Sequence, residues 1–254
     1  MRLLSCLLLL LFCGASTTAQ RIEREFQSKA LKESVGLFIA LPEGFDASKS
    51  YGVIYVLDAD GHFNYMVSYV DYLAQPFAHL IPQMIVVGIR SKSPAFRYKN
   101  MTPPGAGKDD QGNADAFLTF LCDELKPDVA RRYKTDTTQV LAGHSLGGLV
   151  TLYCMLKRPT SFTHYIAASP SLGYANGVLL TRDFPAGAQQ LGKQKLFYSV
   201  AENDLGGYQA NAEKFKGMLS AGTWSRWTYS FIEQTDHYST CPASFYQGLI
   251  AVFK

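Results

Sequence analysis

A serine set among glycines, Gly143-His144-Ser145-Leu146-Gly147-Gly148, lies between an apolar run, Val140-Leu141-Ala142, and a helical pattern that includes Leu149-Val150-Thr151-Leu152. G-x-S-x-G is the spacing of a nucleophile elbow, where a strand turns sharply into a helix and holds its serine above the strand end. Such a turn strains the backbone of Ser145, and Gly143 and Gly147 lack the β-carbons that would collide across it. The helix aims its first amides at the same point, so the Leu146 N–H is placed to donate to a developing oxyanion. By average residue usage the pattern arises by chance in roughly one chain in ten of this length. Its meaning therefore rests on what surrounds it.

A serine nucleophile needs a base to take its proton and a carboxylate to fix the tautomer of that base. Among the five histidines, His144 adjoins Ser145, so the two side chains diverge and His144 reads as structural support. His79 and His164 fall in or beside regular elements away from the required place. His62 follows an early strand, where it could touch substrate. His237 follows the last strand and the acid candidates, giving the order Ser…Asp…His, and is the expected base. Asp204 is preferred as the acid because it lies a few residues past a strand end; Glu202 is the alternative, and Asp236 reads as a loop-capping residue. Ser145 would then attack an ester carbonyl, His237 would protonate the leaving alcohol, and water would release the acid. No C-x-x-C and no ligand spacing among the histidines is present, so neither a metal nor a cofactor is expected.

The elements that must position these groups alternate in type. Strands are expected at Glu33–Ala40, Tyr51–Leu57, Met84–Ile89, around Val140–Ala142, and at Tyr165–Ala168, Gln194–Ala201 and Trp227–Ile232. Between them, helices are expected at Tyr65–Leu73, Ala114–Arg131, Ala210–Leu219 and Phe245–Phe253. Tyr51–Leu57 is apolar nearly throughout, as a parallel strand buried on both faces should be. Asp58–Phe63 reads as a polar, flexible loop, and Arg90–Asn113 as the longest irregular segment and a rim or lid. Within it Gly105-Ala106-Gly107-Lys108 has the outline of a phosphate loop, but Asp109 stands where a hydroxyl is required. The alternation points to one α/β domain with a mostly parallel central sheet and helices on both faces, and the elbow at Ser145 makes the α/β-hydrolase fold the expected form of it.

The 254 residues, 47% hydrophobic and 18% charged, suffice for one large core. The net charge of +3 is scattered, without a basic stripe interleaved with aromatics, so no nucleic-acid partner is expected. Met1-Arg2, the apolar run from Leu3 to Phe12 and the small and polar residues to Ala19 have the layout of a secretory signal. The run is too short for a mature membrane span. Residues 1–19 are thus expected to be removed, leaving a secreted or periplasmic domain over 20–254 without stable membrane insertion. Cys122, Cys154 and Cys241 remain, an odd number, with Cys122 and Cys154 read as buried free thiols.

Taken together, these residues resemble the Putative esterase family of α/β-hydrolases, which includes siderophore esterases of the Fes and IroE kind, feruloyl esterases and S-formylglutathione hydrolase. The resemblance rests on Tyr55-Val56-Leu57-Asp58, Arg97 with Thr102-Pro103, Phe117 to Pro127, Gly143 to Gly148, Ser169-Pro170-Ser171 and His237, and it covers nearly all of the mature chain. It implies that the Asp60 amide joins Leu146 in the oxyanion hole, and that His62, Arg97 and Tyr174 line the substrate site. Ala59 stands where members often have glycine, Asn100 where they have aspartate, and Gly173-Tyr174 where a tryptophan follows the Ser-Pro-Ser. The last difference changes the acyl or aryl pocket. The expected activity is a serine carboxylesterase acting on a small-molecule ester, with siderophore and feruloyl esters as the model substrates. An acyltransferase using the same acyl-enzyme, or a binding protein on a hydrolase scaffold, are the alternatives.

Overall fold

The computed structural model describes residues 20–104, 112–181 and 191–254. The expected signal segment and the Gly105–Lys108 stretch lie outside the described residues. Among those residues the chain builds an eight-stranded sheet in the order β1-β2-β4-β3-β5-β6-β7-β8. The strands are β1 (Arg21–Ser28), β2 (Glu33–Ala40), β3 (Tyr51–Leu57), β4 (Met84–Ile89), β5 (Thr135–His144), β6 (His164–Ala168), β7 (Lys195–Asn203) and β8 (Trp227–Asp236). β1 pairs antiparallel with β2, and β2 with β4. From β4 to β8 every pair is parallel.

Alternation along β3 shows why the sheet is covered twice. Val53, Tyr55 and Leu57 join the apolar layer on one face, and Ile54 and Val56 the layer on the other. The first layer is closed by α5 (Leu146–Lys157), by α6 (Tyr208–Ser220) and by a helical run. That run comprises α3 (Ala114–Thr119), a π-helical turn (Phe120–Leu125) and α4 (Lys126–Arg132). The second is closed by α1 (Ala59–Leu73) and α7 (Thr240–Phe253), through Met66, Val67, Val70, Phe245, Leu249 and Val252.

Several expectations are corrected. The polar loop after β3 is a single residue: Asp58 adopts φ 53°, ψ 47°, its carbonyl accepts the amides of Gly61 and His62, and α1 begins at once. The irregular stretch after Arg90 contains α2 (Pro94–Met101), which starts where a helix should. Ser93 caps it by accepting the Phe96 N–H, and Pro94 occupies the first turn, where its missing N–H costs nothing. The helix expected over Ala114–Arg131 carries the π-helical turn just before Pro127, which has no N–H to donate to the Asp123 carbonyl. Cys122 is half-buried rather than buried; Cys154 is buried, and both are free. β1 was not anticipated, because charged residues outnumber its half-covered Ile22 and Phe26 along an edge strand. Among the described residues no helix is long and apolar enough to cross a membrane.

Candidate active site

β5 ends at His144 and α5 begins at Leu146, leaving Ser145 alone in the turn with φ 58° and ψ −117°. That conformation is costly for a residue bearing a β-carbon, by about 1–3 kcal/mol. Backbone bonds hold it there: the Ser145 N–H donates to the Ala168 carbonyl (3.0 Å), and its carbonyl accepts from Leu149 (2.9 Å) and Ser171 (3.1 Å). A β-carbon on Gly143 would lie 2.3 Å from the Gly147 carbonyl oxygen, so only glycine permits the turn. On Gly147 it would meet the Asp58 carboxylate at 3.2 Å and Leu57 at 3.5 Å, which places the elbow against the C-terminal end of β3.

His237 follows β8 and is 4% exposed. Its Nε2 lies 3.0 Å from Ser145 Oγ, and its Nδ1 lies 2.7 Å from Asp204 Oδ1. The carboxylate fixes the tautomer: Nδ1–H donates to Asp204, which leaves Nε2 to accept the serine proton. Asp204 just past β7 also accepts the Ser169 hydroxyl (2.7 Å) and the amides of Ala201 (3.0 Å) and Leu205 (2.9 Å). Burial alone would raise its pKa, but the bonds from His237, Ser169 and the two amides outweigh it and hold the carboxyl below its ordinary value. Glu202, the alternative acid, is turned to β8 and accepts the Gln234 amide at 2.7 Å. Asp236 caps its own turn through Tyr238 and Ser239.

Leu146 is the first residue of α5, and Ala59 and Asp60 are the first two of α1, so their amides have no acceptor within their helices. The Asp60 side chain is engaged at the surface by Arg90 Nε (2.8 Å) and the Ser91 amide (3.2 Å). Of the candidate substrate residues, Arg97 braces the frame with two of its donors: Nε donates to Asp58 Oδ1 at 2.9 Å, and Nη2 to the His144 carbonyl at 3.2 Å. His62 is packed among Tyr65, His144 and Phe245, with Nδ1–H donating to the Leu57 carbonyl at 3.0 Å. Its burial lowers its pKa. Tyr174 sits edge-on to Tyr98, their ring centres 6.1 Å apart. The supporting role expected of His144 is visible: its Nε2–H donates to the His237 carbonyl at 2.7 Å. Burial, then the neighbouring histidines, push its pKa down to about 3, so it stays neutral.

Two neighbours were not anticipated. Ser171 Oγ lies 3.2 Å from Ser145 Oγ and 2.8 Å from the Tyr208 hydroxyl, and the Tyr208 ring packs against His237 at 4.8 Å. Ser171 was visible in Ser-Pro-Ser, whereas Tyr208 lies before the helix read from Ala210 and gave no signal.

The family model described as Putative esterase matches residues 28–210. The chain belongs to that family. The chain is similar to ferri-bacillibactin esterase BesA of Bacillus subtilis strain 168, 31% identical over 176 residues that span 63% of this chain and 61% of that protein. The solved BES protein from Bacillus cereus has the same fold, with a TM-score of 0.82 at 24% identity over 92% of this chain and 95% of that one. The IroE-like serine hydrolase from Shewanella oneidensis gives a TM-score of 0.77 at 26% identity, over 93% and 80% of the respective chains.

Proposed function

We propose that this Putative esterase hydrolyses carboxylic esters through an acyl-enzyme on Ser145. The observation that carries the reading is the continuous hydrogen-bonded line from Asp204 to His237 Nδ1 (2.7 Å) and from His237 Nε2 to Ser145 Oγ (3.0 Å). In the first step Ser145 Oγ bonds to the ester carbonyl carbon as its proton passes to His237 Nε2, and Asp204 stabilises the imidazolium. The amides of Leu146 and Asp60 receive the oxyanion. His237 then protonates the alcohol as the C–O bond breaks, and a water deprotonated by the same nitrogen frees the acid. No cofactor enters these steps.

The substrate class we assign is an ester-linked siderophore, on the strength of the ferri-bacillibactin esterase relative. Residues 1–19 serve in this reading as a secretory signal and 20–254 as the catalytic domain, which places hydrolysis outside the cytoplasm. The test measures hydrolysis of short p-nitrophenyl esters, a feruloyl ester and bacillibactin, iron-free and iron-loaded, by the protein and by Ser145→Ala. Turnover that falls at least about a thousandfold in the variant is expected, with the siderophore the preferred substrate. Equal rates for the two proteins would overturn the mechanism, and preference for the feruloyl ester would overturn the substrate class. N-terminal sequencing of exported protein should begin at Gln20; an intact N-terminus would refute the signal.

A further inference from the structure

Beside the line from Asp204 to Ser145 lies a cluster to which the proposed hydrolysis assigns no chemical step. His62, in the first turn of α1, His144, at the end of β5, and Cys241, in the first turn of α7, bring one donor atom each to within 4.8 Å of one another. We propose that these three side chains bind a thiophilic d10 metal ion, with zinc(II) as the representative. Spacing in the sequence hides such a site, because each ligand comes from a different segment and even the nearest sequence pair, His62 and His144, has β4 and four helical segments between its members.

Four observations support it. First, each histidine has one nitrogen committed to a backbone carbonyl: His62 Nδ1–H to Leu57 (3.0 Å) and His144 Nε2–H to His237 (2.7 Å). This leaves lone pairs on His62 Nε2 and His144 Nδ1, with the opposite N–H anchored as it is in metal-binding histidines. Second, His62 Nε2 stands 3.7 Å from Cys241 Sγ. A tetrahedral zinc centre, from its bond lengths, needs a nitrogen–sulfur edge of about 3.6 Å. Third, two imidazoles and a thiol form a set that suits zinc and comparable ions and disfavours calcium or magnesium, which demand oxygen. Fourth, the surroundings suit a bound cation. The Tyr65 hydroxyl lies 3.0 Å from Cys241 Sγ, able to donate to a thiolate, and Asp58 sets a negative charge near both His62 and Cys241 that favours a cation there, although burial and that same charge keep the thiol protonated until the ion binds. Asp58 Oδ2 is buried and, among the described residues, has no hydrogen-bond partner.

Binding exchanges water on the ion for two imidazole nitrogens and the sulfur. The Cys241 S–H bond breaks as the sulfur–metal bond forms, the proton leaves to solvent, and no oxidation occurs; water fills the remaining position. His62, the least buried of the three, is the side of entry. The ion would pin α1 and α7 to the elbow, four residues beyond the base His237.

The test uses the whole protein without a histidine tag. Cobalt(II) titration should give a thiolate-to-metal charge-transfer band that saturates at one ion per chain, and zinc should displace the cobalt. Zinc affinity by calorimetry should fall at least about a hundredfold in Cys241→Ala and in His62→Gln, and stay within about twofold in His164→Gln, since loss even of an outer-shell partner costs 10–100-fold. Ser145→Ala should bind zinc as the wild type does, which separates this site from the hydrolytic reading. Absence of the charge-transfer band in the wild type, or equal zinc affinity in Cys241→Ala, would overturn the proposal; the band needs no variant to fold.

Discussion

Replacing Asp204 with asparagine tests the line from carboxylate to nucleophile at its most constrained point. The native carboxylate is fully buried and accepts four hydrogen bonds, two at each oxygen: His237 and Leu205 at Oδ1, Ser169 and Ala201 at Oδ2. Asparagine has one carbonyl oxygen and one amide nitrogen, so only one side can remain an acceptor. If the oxygen faces His237, the new NH₂ meets the Ala201 N–H, an unsatisfied buried donor that costs about 1–3 kcal/mol. If it turns the other way, the NH₂ donates to His237 Nδ1, the proton moves to Nε2, and the base can no longer accept from Ser145. Either outcome is harmful, and the second removes general-base catalysis, for which about 10³–10⁴-fold is expected in kcat, or about 4–5.5 kcal/mol of barrier. The assay is kcat on p-nitrophenyl butyrate beside Glu202→Gln, whose side chain only accepts the Gln234 amide and should change kcat less than about twofold. If Asp204→Asn keeps more than a tenth of the activity while Glu202→Gln loses it, the assignment of the acid is wrong.

Other substitutions probe the frame. Ser145→Gly should abolish turnover yet raise stability by about 1–2 kcal/mol in chemical denaturation, because φ 58°, ψ −117° suits glycine; an unchanged or lower stability would contradict strain at the elbow. Gly143→Ala should leave no soluble folded protein, or cost more than about 3 kcal/mol, since its β-carbon would meet the Gly147 backbone at 2.3 Å, while Gly147→Ala, facing Asp58 at 3.2 Å, should fold. Stability should also fall in acid. His144 titrates at about 3 when folded and near its ordinary value of 6.5 when unfolded, so its contribution is complete above the unfolded value and is lost as pH falls through that window, at about 1.4 kcal/mol per pH unit; urea titrations of His144→Gln should show a shallower slope, and an identical slope would refute the assignment.

Much of this architecture was readable because parallel strands buried on both faces announce themselves as apolar runs, as Tyr51–Leu57 and Met84–Ile89 do. That Ser145, Asp204 and His237 come together was legible for a related reason: in a sheet whose β5 to β8 are adjacent and parallel, groups just past successive strand ends can meet. What stayed hidden depends on tertiary partners. Arg97 looks like a residue for substrate, and only the structure shows two of its guanidinium N–H groups held by Asp58 and the His144 carbonyl. The left-handed Asp58 that starts α1 so abruptly is held by bonds from Gly61 and His62, which the polar run Asp58–His62 does not advertise. β1 escaped notice because an edge strand can be largely charged and still pair along its full length with β2.

The order of strands also separates what can vary from what cannot. β5 delivers Ser145, the end of β6 delivers Ser169 and Ser171, β7 delivers Asp204 and β8 delivers His237, so these side chains stand in the order of the sheet itself. Each is tied to its neighbour by a hydrogen bond of 2.7–3.2 Å, and none depends on a long loop for its position. The Tyr98–Tyr174 pair, by contrast, is carried by α2 and by the turn at Tyr174–Gly177, elements outside the sheet. On the proposed reading, selection among esters is assigned to those outer segments, where residues can change without moving Ser145. The departure at Gly173-Tyr174 falls in that region, so under the proposed mechanism it should alter which acyl group is accepted while leaving the chemistry at Ser145 intact.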